Sequence, residues 1–152
     1  MLTRTQFAVA VLLATSAIPM RASGIDNKLP DMEMITALEM RASQAQPREQ
    51  CFLYAELVHQ MTELSVRQYA AGDVDKATDL LKRVRQIAQK IHLSMAQNDK
   101  RIKNAEILLS HTAFRLTEML HASSYEDRDL VQNTLADVTQ AQKETMFQVF
   151  KK

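Results

Sequence analysis

"MAQNDKRIKN", residues 95–104, decides the shape of this chain. The stretch is polar, contains neither Gly nor Pro, and stands between two strongly helical segments. Either it is a turn that folds the second segment back, or it is the middle of one long helix. At about 100° per residue, the apolar stripe before it (Leu80, Val84, Ile87, Ile91, Met95) and the stripe after it (Ile102, Ala105, Leu109, Leu116, Leu120) differ in phase by only about 30°, as in an uninterrupted helix. Against continuity, Asn98 and Asp99 are poor interior helix residues and good caps, because their short side chains compete for nearby backbone groups. A turn at Gln97 to Lys100 lets four helices of similar length share one core. A single helix from Val74 to Ala122 would be a rod of about 73 Å that exposes apolar surface and should dimerise. Sequence alone leaves both open.

The rest of the chain is easier to parse. Gly24 and Gly72 are the only glycines, and Pro19, Pro30 and Pro47 all precede residue 48, so strong interruptions are rare and an all-α protein follows. Asp31, after Pro30, opens a short Met-rich helix over residues 31–45, and Pro47 suits the first turn of the next helix. That helix runs from about Arg48 to Ala71, with Leu53, Leu57, Met61 and Leu64 on one face. Gly72 ends it and Asp73 caps its successor. Ser123 and Ser124, ahead of Glu126 and Asp127, form a capping box for a last helix striped by Val131, Leu135, Val138, Met146 and Val149. The expected fold is an antiparallel helical bundle of three or four long helices, with hairpins near Gly72 and Ser123.

Residues 1–24 read as an export signal: Arg4, an apolar run from Phe7 to Ile18, then Ala22, Ser23 and Gly24. The run falls short of the roughly 20 residues that cross a bilayer, so no permanent membrane anchor is expected. Residues 25–46 form the Met-rich helix and linker, and 47–152 the bundle domain. Loss of Arg4 and Arg21 with the signal takes 19 basic residues to 17 against 18 acidic, a net charge of −1 that gives no bulk electrostatic steering. The address is periplasmic or secreted.

"KNAEI" (Lys103–Ile107), "EDRDLV" (Glu126–Val131) and "MFQVF" (residues 146–150) resemble a family of small secreted bacterial helical proteins. The resemblance implies an exported helical fold and carries no mechanism. "YAAGDVDKATDLL" (Tyr69–Leu81) is similar to the hairpin of tetratricopeptide-like repeats, with no 34-residue period behind it, and indicates an αα-hairpin. "TEL" at Thr62–Leu64 echoes "TEML" at Thr117–Leu120 and allows an ancient duplication.

Four patterns carry chemistry. Glu56-x-x-His59 and Glu118-x-x-His121 make half of a ferritin-like dinuclear site, but on their wheels these residues point away from the apolar stripes, and such ligands must face inward. His92 and His111 lie on the flank and polar side of their helices. Met32, Met34 and Met40 offer soft thioethers, for a partner surface or for copper, although core filling is the commoner use. Cys51, in the first turn of a helix, is expected to be half-buried; a single cysteine makes no internal disulfide, which leaves an intermolecular one.

Lys82, Arg83, Arg85, Lys90, Lys100, Arg101 and Lys103 make the middle of the chain basic, the pattern of a solvated face or of an anionic target. Without interleaved aromatics, nucleic acid is not an expected partner. No haem attachment, phosphate loop or nucleophile elbow is present. The expected function is a non-enzymatic interaction or scaffold protein of the bacterial envelope, without a cofactor, binding an unknown protein partner or a second copy of itself. The competing class is an exported metal-binding sensor or buffer using His59, His92, His111, His121 or Cys51.

Overall fold

In the computed structural model, which describes residues 28–94 and 101–151, the first helix opens at Asp31, whose carboxylate accepts the Met34 N–H at 2.8 Å. This helix, α1 (Met32–Gln44), is followed by α2 (Pro47–Ala70), α3 (Val74–Ser94), α4 (Ile102–Ala122) and α5 (Arg128–Phe150). The described chain is all helical, and its helices pack on one another as a bundle. Pro47 stands in the first turn of α2, where a missing N–H costs nothing.

Between α2 and α3, Gly72 adopts φ 89°, and two backbone bonds, Gly72 N–H to Tyr69 C=O (3.1 Å) and Asp73 N–H to Gln68 C=O (2.9 Å), close a Schellman turn. At the other hairpin, the Ser124 hydroxyl accepts the Asp127 N–H at 3.3 Å and donates to its carboxylate at 2.8 Å. The export signal expected at residues 1–24 and the turn expected at Gln97 to Lys100 fall outside the described residues.

Side-chain pairs across the bundle fix the direction of each helix. His59 meets Thr112 and Glu63 meets Arg115, so residue numbers rise together on α2 and α4, which are parallel. Arg85 meets Asp137 and His92 meets Glu144, so α3 and α5 are parallel too. Each hairpin is internally antiparallel. α2 packs closely on α1, α3 and α4, and α5 on α3 and α4, while the backbones of α3 and α4 stand on opposite corners. A continuous rod over 74–122 is therefore excluded, because α4 returns alongside α2. α3 therefore ends, at Ser94, at the end of the bundle where α4 begins, at Ile102.

Folding back puts both stripes in one core. Leu57, Val84, Ile91, Leu109, Leu116 and Val138 are fully buried, and each large aliphatic side chain so buried contributes about 1.5–3 kcal/mol. A rod would leave part of each stripe wet.

Two expectations about faces need correction. α2 buries Cys51, Phe52, Ala55 and Val58 as well as its stripe, because α1, α3 and α4 cover it from three sides. On α5, Met146 is 37% exposed, and the inward positions are taken by Thr134 and Thr145. Their hydroxyls donate to the Leu130 and Ala141 carbonyls at 2.7 and 3.1 Å, which makes threonine tolerable in a dry interior.

Candidate functional site

Two histidines, His59 and His92, sit at different helix seams, and His111 and His121 are exposed. His59 is the one the helical wheel misplaces: it is half-buried where α4 packs on the flank of α2, with Nδ1 3.1 Å from the Thr112 hydroxyl. The Thr112 hydroxyl already donates to the Leu108 carbonyl at 2.7 Å, so this contact assigns the imidazole proton to Nδ1. Burial at the seam holds His59 below the usual histidine range; Glu63 opposes this, and the charges of His111 and Arg115 reinforce it.

His92 bonds Glu144 at 2.6 Å across the α3–α5 seam, and His111 and His121 are exposed on α4. Glu118 is engaged by Arg115, which also reaches Glu63 at 2.8 Å. The two E-x-x-H pairs do not converge. Among the described residues, no three His, Cys, Asp or Glu side chains are placed to hold a metal ion.

Cys51 is fully buried, not half-buried as its position in a first turn suggested. It lies in the covered part of α2, so a disulfide to a second chain would require packed helices to part.

The methionines of α1 divide. Ile35, Leu38 and Ala42 face the bundle, while Met32 and Met40 are 44% and 58% exposed on one flank, two turns apart with Thr36 between them. Met34 points to the other flank and is half-buried. Two tethers hold α1 down: Arg67 donates to the Pro30 carbonyl, and Arg83 pairs with Glu39 at 2.6 Å.

The basic middle of the chain separates into two groups. Lys82, Arg83 and Arg85 are matched by Asp79, Glu39 and Asp137. Arg101 places its guanidinium 3.3 Å over the Phe52 ring, while Lys90 and Lys103 are exposed at the same end of the bundle. Lys100 lies outside the described residues.

One surface was missed in the sequence. Leu93, Phe147 and Phe150 are 83%, 70% and 79% exposed where α3 and α5 finish. The available signal was phase: Phe147 sits opposite the Val131, Val138 and Ala141 stripe of its own helix. No described helix is long and apolar enough to cross a membrane. Comparison with family models, with curated proteins and with solved structures returned no match.

Proposed function

We propose that this chain is an exported, non-enzymatic interaction protein of the bacterial envelope, and that the outer flank of α1 is a protein-binding face. The observation that carries the reading is the Met32, Thr36, Met40 strip, at i, i+4 and i+8, which leaves two flexible thioethers in water while Ile35 and Ala42 of the same helix are fully buried. Methionine in such a position adapts to a partner surface at little cost in packing. The tethers from Arg67 and Arg83 keep the strip ordered before a partner arrives.

Against the metal-binding alternative, no three His, Cys, Asp or Glu side chains gather among the described residues, and His59 is bonded to Thr112 and His92 to Glu144.

Removing α1 would uncover the core, so point changes test the reading better. Met32→Glu/Met40→Glu is expected to keep the helical circular dichroism spectrum and the urea midpoint, and to lose the partner that the wild-type chain retains on crosslinking in the envelope. An unchanged crosslinking pattern with the folded double variant rejects α1 as the binding face.

A further inference from the structure

The two ends of the bundle differ in charge and in polarity. Around the Gly72 and Ser124 turns stand Asp73, Asp75, Asp79, Glu126, Asp127 and Asp129, of which Asp73 and Asp79 pair with Lys76 and Lys82, and Arg128 lies beside them, so acids outnumber bases there. At the opposite end, Lys90, Lys103, Lys143 and Lys151 are exposed and make no ion pair among the described residues. Between them project Leu93, Met146, Phe147 and Phe150.

Two contacts bring these residues to one place. The 2.6 Å bond from His92 to Glu144 sets the last turns of α3 and α5 side by side. The Gln142 amide donates to Glu106 at 3.3 Å, which brings the first turn of α4 level with the last turns of α5. The same contacts occupy the nearby carboxylates: Glu144 accepts from His92 and Gln140, and Glu106 from Gln142. Among the described residues, Glu49, in the first turn of α2, is a further exposed acid at this end.

Exposed aromatic rings three residues apart, flanked by lysines on flexible stems, match the boundary between lipid headgroups and acyl chains: rings enter, and ammonium groups stay at phosphate depth. Anionic headgroups attract each such lysine and repel the acidic far end, so charge also orients the bundle. We propose that this end of the bundle docks on an anionic phospholipid surface, with Phe147 and Phe150 entering the headgroup–acyl boundary. The proposal does not rest on the role of α1, whose Met32–Met40 flank is a separate surface.

The chain contains no Trp, so Phe147→Trp places its only indole at the docking end, and Tyr125→Trp places it at the acidic end, where Tyr125 is 92% exposed. With full-length protein and vesicles containing phosphatidylglycerol, the indole at 147 is expected to shift to shorter emission wavelength and to be quenched by brominated lipid. The indole at 125 should not respond. Pure phosphatidylcholine vesicles should give no shift, and about 0.5 M salt should reverse the one seen with the anionic lipid.

Phe147→Ser/Phe150→Ser is expected to lower sedimentation with the anionic vesicles about tenfold. Equal responses at 147 and 125, or undiminished sedimentation of the double variant, would overturn the proposal by locating binding elsewhere, such as the apolar run at residues 7–18. A shift at 147 that needs protein concentration and no lipid would also overturn it, in favour of a second copy of the chain.

Discussion

The Tyr69 hydroxyl, in the last turn of α2, donates to Asp127 at 3.0 Å and so joins the end of one hairpin to the turn of the other. It also accepts the Ser124 N–H at 2.8 Å. One phenol thus satisfies a backbone donor and a carboxylate just before α5 begins. Tyr69→Phe removes both bonds without changing shape, and is expected to cost about 1.5 kcal/mol. The check is a lower urea midpoint at constant slope; an unchanged midpoint would show the contact to be energetically idle.

Two buried hydroxyls on α2 should respond in opposite directions. The Ser65 hydroxyl donates to the Ala77 carbonyl at 2.9 Å and ties α2 to α3, whereas the Thr62 hydroxyl finds no partner among the described residues. Ser65→Ala is expected to destabilise by about 1 kcal/mol, and Thr62→Val to stabilise by a similar amount, about 1 kcal/mol, by replacing an unpaired polar atom with a methyl group. Denaturant midpoints moving the same way for both would contradict this.

Gly72 has open space where a Cβ would sit, so any penalty there is conformational. At φ 89° an alanine is strained, and Gly72→Ala should cost about 1 kcal/mol, with Gly72→Asn costing less. A thermal scan that shows no loss for alanine would mean that the turn relaxes.

His59 gives the bundle a pH dependence of defined sign. Its folded pKa lies below the unfolded value, so the unfolded state binds the proton more readily. The stabilising contribution is therefore complete above about pH 6.5, the ordinary histidine value, and is lost as pH falls through that value toward the lowered folded one. Between pH 7.5 and 5.5 the melting temperature should fall, and His59→Gln should flatten that fall while keeping a donor for Thr112. An equal slope for the variant would assign the effect to other groups.

Local rules were legible where the chemistry is local. Asp31 after Pro30, Pro47 and Gly72 each marked a helix boundary within a residue or so of the observed one, whereas the Ser124–Asp127 bond forms in the turn and α5 begins later, at Arg128. The stripes of α2 and α3 were legible too, since Leu53, Leu57, Leu80 and Val84 need only a period of 3.6 to be assigned inward. Flanks were not. A wheel assigns one inward direction, so it could not show that α4 would half-bury His59 or that three neighbours would bury Cys51.

By itself, then, the sequence determined that this chain is helical, where most of its helices begin and end, and which stripes seek a core, because caps, glycine and periodicity act over a few residues. Only the tertiary structure decided that α4 runs antiparallel to α3, that α2 runs parallel to α4, and that lysines and phenylalanines from α3, α4 and α5 share one end. The phase of a stripe is unchanged by a turn that happens to preserve it. What breaks the tie is the burial of both stripes against α2 and α5, a gain that exists only once helices distant in sequence meet.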